Sequence, residues 1–340
     1  MAGNRGEAAA ILVVACGMAV PFLTSDPFAY SVANQVAIAV TASFSVYLML
    51  RMNLLTFAVP AFMAIGGYAT AIAGLRFGLT DSVLLAFISF VVPGAVALPL
   101  GALVLRLRGV YFVLVTFLLT EITQLALFET PGLTGGSNGL TGMPATMLFG
   151  AELGDNQSVL ALAMALALAA AVVTALASGW YRQQFAAIEE NELLAQSLGL
   201  VVWRYKVIGF VLAAGLAGMA GFSLVNMLLT AHPSSFTSAS SVNYIAYTII
   251  GGRFSMLGSI VGSGLLVWMS NLFSAQGQLS QGLFGLLLIV VVLLARGGIV
   301  GTAATLASRA AGLGRRASGL APAPARKSPA RTSPVRKGPA

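Results

Sequence analysis

Chemistry along this chain is concentrated where a carboxylate interrupts an apolar run. Glu121 stands about halfway along Val110 to Phe128, with Thr116 and Thr120 before it and Gln124 after it. On a helix, a step of three residues brings Glu121 and Gln124 to one side. A carboxylate at that depth in lipid costs on the order of several kcal/mol unless it is paired, neutralised or wetted. Two roles fit. Glu121 belongs either to a polar translocation path or proton relay, or to a structural clasp hydrogen-bonded to Thr116, Thr120 or a neighbouring helix.

Elsewhere the groups that enzymes use are nearly missing. His232 is the only histidine, and no Cys, Asp or Glu nearby completes a metal or triad pattern. It reads as a solvated loop residue before Pro233. The lysines are Lys206, Lys327 and Lys337, and none ends a Gly-rich phosphate-cradling loop. ATP hydrolysis by this chain is therefore not expected, no metal site is expected, and nucleotide energy must come from another subunit. Cys16 is single and lies in an apolar run, where helix packing is its expected role.

The elements that must carry these residues follow from composition. The chain has 340 residues, 58% of them hydrophobic and 8% charged, with a mean hydropathy of +0.91. Soluble domains carry about a quarter charged residues, so a water-covered fold of this size is excluded. A hydrocarbon core about 30 Å thick needs about 20 helical residues, and ten candidate spans emerge. They are Ala8 to Leu23, Tyr30 to Leu50, Thr56 to Leu75, Val83 to Leu105, Val110 to Phe128, Ser158 to Ser178, Lys206 to Thr230, Ser234 to Gly252, Leu257 to Phe273 and Leu283 to Ala295. The expected fold is an all-α polytopic membrane protein of about ten transmembrane helices over residues 1–300.

Net charge is +8, and eight of the 18 basic residues lie beyond Gly301 in a Pro/Ala/Ser-rich tail, residues 301–340, whose composition predicts disorder. Attraction to anionic headgroups suits that tail better than nucleic acid does. With both termini cytoplasmic, 17 of the 18 basic residues face inward and only Arg76 faces out. The bias of Lys and Arg toward cytoplasmic loops selects this topology.

Two connections exceed what a turn requires. The outer one, residues 129–157, contains Thr134, Gly135, Gly136, Ser137, Asn138 and Gly139, a run that can be a flexible connector or a shaped surface. The inner one, residues 179–205, has Ile188, Leu193, Leu194 and Leu198 at helical spacing among Glu189, Glu190, Glu192 and Gln196, and then Gly199 as a stop. It predicts a short amphipathic helix on the cytoplasmic side. The spans themselves are rich in small residues, notably Ala214 to Gly221, Gly66-Gly67 and Gly258, Gly262 and Gly264. Close helix packing is the expected use. Gly251-Gly252, after a brief apolar run, predicts a broken helix. Asn53, Asn226, Ser241, Asn243 and Tyr244 are further polar groups too scattered to assign.

Three ordered segments resemble the LivM-like membrane permeases of branched-chain amino-acid ABC importers. Leu105 to Phe112 with Thr116 and Glu121 resembles the family's Leu-Arg-x-Arg-Gly-x-Tyr-Phe stretch and its downstream Thr and Glu. Leu133 to Leu140 is similar to its outer Thr-Gly-Gly loop, and Glu190 to Gly199, leading into Tyr205-Lys206, to the cytoplasmic segment that docks on an ATPase. The likeness runs from about Asn53 to Gly301. Two segments depart from it: Thr56 to Phe62 lacks the histidine of the family's Ser-Leu-Gly-His-Ala-Ala-Phe, and Phe254 and Ser259 stand where Gly and Pro are usual.

The resemblance implies a multi-pass permease subunit of the inner (plasma) membrane. It implies two ABC ATPase subunits that bind the ATP, a second permease of similar or identical sequence, and an extracytoplasmic solute-binding protein. The cargo it implies is a small polar organic solute, with branched-chain or related amino acids first. Glu189, Glu190, Glu192, Leu193, Leu194 and Gly199 would couple to the ATPase. The acids would meet polar or basic groups in its groove and the leucines would fill that groove; a helix lying on the lipid surface is the alternative. Glu121, Thr116, Gln124 and Tyr111 are the path candidates, and Thr134, Gly135, Gly136 and Asn138 mark the outer loop. A stand-alone proton-coupled transporter using Glu121, or a urea-type channel, remains as a rival reading.

Overall fold

The computed structural model describes residues 2–19, 26–148, 150–253, 255–274, 282, 285 and 298–301. The tenth expected span, apart from Gly285, and the tail after Gly301 lie outside these residues.

Helices open and close where the local chemistry provides caps. Asp26 accepts a hydrogen bond from the Phe28 amide at 3.1 Å and starts α2 (Pro27–Leu50), with Pro27 in its first turn. α1 (Ala2–Gly17) precedes it. α3 (Val59–Phe77) ends on Gly78 in the left-handed region, and Asp81 caps α4 (Ser82–Val104) through the Val83 amide at 2.9 Å. α5 (Val110–Glu129) and the single turn α6 (Pro131–Thr134) follow. Then come α7 (Asn156–Trp180), the short α8 (Arg182–Glu190) and α9 (Glu192–Ser197), α10 (Val202–Leu228), α11 (Ser238–Gly252) and α12 (Met256–Ser274).

α2, α4, α5, α7, α10 and α12 are long and apolar enough to cross a membrane. The chain is a multi-pass, essentially all-helical membrane protein. Among the described residues the strands are four two-residue pieces. β1 (Leu140–Thr141) pairs antiparallel with β4 (Thr230–Ala231), and β2 (Met147–Leu148) with β3 (Ala151–Glu152).

α2 and α10 form the centre, buried within the chain over 83% and 72% of their apolar stretches, whereas α5 is buried over only 17%. α10 touches α2, α3, α4 and α7, and α11 packs on α12. Absent side chains make the central crossing possible. Pro93 has no amide to donate to Ser89, one turn earlier, and the Ser89 carbonyl points at Gly218 of α10, where a Cβ would overlap it. Gly66 of α3 meets Gly218 from another side, again without room for a Cβ. The α11–α12 contact uses the same device: a Cβ on Gly251 would strike the Gly258 carbonyl, and one on Gly262 the Tyr247 carbonyl. Lipid provides no hydrophobic force between helices, so such backbone approach supplies the packing.

Several expectations change. Cys16 is exposed, because α1 packs on α7 and α12 and leaves that face uncovered. α11 has 15 residues, about 22 Å of rise, short of the roughly 30 Å hydrocarbon core. It ends at Gly252, where the sequence predicts a break.

Candidate functional site

The inner connection is two helices set at an angle. Asn191 adopts an extended conformation (φ −159°, ψ 108°) between α8 and α9, and its Oδ1 accepts from the Leu193 and Leu194 amides at 3.0 and 3.1 Å. An Asn that caps the second helix must leave the first, so the single helix expected from Ile188 to Leu198 is interrupted. The break sorts the apolar residues. Phe185, Ile188 and Ala195 are buried against the bundle, while Leu193, Leu194 and Leu198 are 64%, 56% and 79% exposed. Gly199 follows α9 with φ +89°.

Two of the three acids turn toward the bundle. Glu189 lies 3.7 Å from Arg51 through one carboxylate oxygen and 3.7 Å from Arg253 through the other. Glu192 lies 2.8 Å from Lys206 and 3.5 Å from Arg108, again one cation per oxygen. Glu190 is exposed. The acids expected to meet an ATPase groove are thus divided: Glu189 and Glu192 are engaged by this chain's own cations, and Glu190 points away. The sequence marks Arg51 and Arg253 only as inward-facing charges; that each directly follows the end of a helix, α2 and α11, is the available sign that they flank one surface.

Between α2 and α3 an irregular segment replaces helix. Leu54 to Ala58 leads into α3 without regular structure, and its polar backbone must be satisfied inside the protein. Thr116 of α5 accepts from the Phe57 amide at 3.1 Å. The Phe57 carbonyl receives the hydroxyls of Thr120 at 2.8 Å and of Ser241 of α11 at 2.6 Å. Gln124, further along α5, donates to the Pro233 carbonyl at 3.4 Å. Thr116 and Gln124 are therefore brought together on one face of α5 as backbone clamps.

Glu121 is elsewhere. It lies in the row between Phe117 and Leu125, on the arc of α5 that carries the exposed Leu114, Leu118 and Ile122. Among the described residues it makes no hydrogen bond or ion pair, so the clasp to Thr116 or Thr120 does not form. Tyr111 is 73% exposed near the start of the same helix. The helix turns Glu121 about 100° or more away from Thr116 and Thr120, with Gln124 between them.

Two cavities collect polar groups left unassigned by the sequence. One of about 180 Å³ is lined by Gln35, Ser240, Asn243, Tyr244, Tyr247 and Asn271, among others, and Asn271 donates to Gln35 at 3.1 Å. The other, about 320 Å³, lies between α2, α7 and the 143–156 segment and includes Asn34, Asn156 and Asn226.

The outer loop is shaped. Thr134 donates to the Leu127 carbonyl at 2.6 Å, folding the loop onto the end of α5. Gly135 sits at φ +75°, with no room for a Cβ beside Gly139. Asn138 ends a 3₁₀ turn that starts at Gly136, its amide donating to the Gly135 carbonyl at 3.2 Å. His232, expected to be solvated, is half-buried and works as a clip: its Nε2–H donates to the Ser137 carbonyl at 2.9 Å, and Nδ1 accepts from the Ser234 amide at 3.2 Å. Residues distant in sequence, which spacing cannot reveal, supply those partners.

Residues 28–295 match the family described as branched-chain amino acid transport system / permease component. The chain is similar to two curated proteins, each called a high-affinity branched-chain amino acid transport system permease protein LivM. The one from Salmonella typhimurium is 27% identical over 84% of this chain and 72% of its own length. The one from Escherichia coli K12 is 28% identical over 71% of this chain and 62% of its own length. No solved structure matches the chain.

Proposed function

The chain belongs to the branched-chain amino acid transport permease family, and from that premise we propose that it is a membrane-spanning subunit of an ABC importer. It works with two ATPase subunits that bind the ATP, a second permease, and an extracytoplasmic binding protein that delivers the solute. Both termini face the cytoplasm and the membrane is the inner (plasma) membrane; the gathering of Arg51, Arg108, Lys206 and Arg253 at one end of the bundle supports that orientation.

The observation that carries this reading is the inner loop. α9 and its C-cap present Leu193, Leu194 and Leu198 outward on a support fixed by ion pairs, an apolar lever left uncovered among the described residues. A lipid-surface helix would have to place exposed Glu190 against anionic headgroups. Docking into an ATPase groove gives the leucines burial at no such cost.

The cargo is a small polar solute, with branched-chain or related amino acids first. The six cavity-lining groups named for the smaller cavity are amides, hydroxyls and phenols, which suit a solute without net charge, a zwitterion included. Glu121 lies halfway along an outward-facing row of α5, where lipid would penalise it. Its place in this reading is a wetted path between the two permeases.

The test is reconstitution. The chain with its ATPases and second permease should take up solute only with ATP and the loaded binding protein. Uptake by the lone chain on a proton gradient would replace this reading with the Glu121-based secondary transporter, and flux without any energy source with the channel.

A further inference from the structure

Phe57 is gripped from two sides by helices whose inner ends are held by different acids. On one side, the Phe57 carbonyl accepts from Ser241 of α11 at 2.6 Å, and α11 ends at Arg253, which pairs with Glu189. On the other, it accepts from Thr120 of α5 at 2.8 Å, and Arg108, just ahead of α5, pairs with Glu192. From Val110 to Thr120 the helix rises about 15 Å, and from Gly252 back to Ser241 about 16 Å. The two arms are therefore nearly equal and meet at one carbonyl.

Glu189 and Glu192 stand on separate helices, with the extended Asn191 between them. Each acid also holds a second element: Glu189 holds Arg51, where α2 gives way to the segment leading to Phe57, and Glu192 holds Lys206 of α10. A displacement that changes the angle at Asn191 moves the two acids relative to each other. Their partner helices then move at their inner ends, and rigid helices carry that motion to Phe57.

We propose that Glu189 and Glu192 are positioning residues, two separate handles through which the inner loop moves α11 and α5 against each other and so opens or closes the grip on the Phe57 backbone. This deepens the importer reading and rests on it for the source of the push. The mechanical link itself lies within this chain. Spatial connection alone does not establish coupling, so the test measures it directly.

Nitroxide labels are placed at Leu118 of α5 and Val242 of α11, which are 53% and 51% exposed, in a Cys16→Ser background of the full chain in lipid nanodiscs. Electron-spin distance measurements should give a shifted or broadened distribution for Glu189→Gln and for Glu192→Gln. Glu190→Gln should match the parent, and the conservative Glu192→Asp, which keeps a carboxylate for both Lys206 and Arg108, should stay closer to it than Glu192→Gln does. Unchanged distributions in folded Glu189→Gln and Glu192→Gln chains overturn the proposal, as does an equal change in Glu190→Gln. In the assembled importer, the same two variants should raise the ATP hydrolysed per solute moved by about fivefold or more while still binding the ATPases. An unchanged ratio also overturns the proposal. Failure to bind any ATPase, with the distance changes intact, refutes the importer reading and leaves the internal linkage standing.

Discussion

Lys206 Nζ lies 2.8 Å from Glu192 Oε2, and the lysine side chain is 5% exposed. A cation so little exposed must keep its partner, because an unpaired buried charge costs more than the pair contributes. The connection between membrane helix and inner loop is thus enforced by desolvation on the lysine side.

Removing the carboxylate should therefore destabilise the chain. Glu192→Gln is expected to cost about 3 kcal/mol, measured by thermal unfolding in detergent. Adding Lys206→Met should recover part of that loss. If the two losses simply add, the contact is not an energetic unit.

The central crossing predicts a contrast between two glycines. Gly218→Ala forces a methyl group into the Ser89 carbonyl and should destabilise by about 3 kcal/mol. Gly179→Ala, in α7 with open space around it, should be neutral or stabilise by up to about 1 kcal/mol. Melting midpoints of the two variants check the sign of each.

Leu193→Ser with Leu194→Ser removes exposed apolar surface, so the isolated chain should keep its stability to within about 0.5 kcal/mol. Recovery of ATPase subunits with the tagged chain should fall by about tenfold or more, since each leucine contributes about 1.5 kcal/mol when buried. Equal recovery would move the docking surface away from α9.

For Glu121, the lack of a bonded partner among the described residues separates stability from transport. Glu121→Leu should leave the melting midpoint unchanged or raise it, while ATP-driven uptake falls by about tenfold or more if a polar path loses its carboxylate. Full uptake in this variant would place the path elsewhere.

His232→Ala removes the clip between the outer loop and the α10–α11 connection. Amide exchange at Gly139 and across the β1–β4 pair should accelerate by about tenfold, a loss on the order of one hydrogen bond. Exchange in α2 should not change.

Much of the architecture was legible because lipid imposes strict rules. Apolar runs of fixed length placed helices within a few residues of α2, α4, α5, α7, α10 and α12, and Gly251-Gly252 marked where α11 stops. The small residues of α10 and α12 were readable as packing because only backbone approach replaces the missing hydrophobic force. The cytoplasmic helix was readable in part: its apolar spacing was visible, but Asn191 reads as an ordinary polar residue until its side chain is seen capping α9.

Composition, span length and charge bias are properties of residues in order, and for this chain they determine the class and the approximate helices; three motifs add a resemblance to a transport family. Which face of α5 carries Glu121, which cations hold Glu189 and Glu192, and that Phe57 is gripped through its backbone were decided by the tertiary structure alone. The reason is physical. Each of these rests on contacts between elements far apart in the chain, made by carbonyls, amides and ion pairs whose partners only the folded packing chooses.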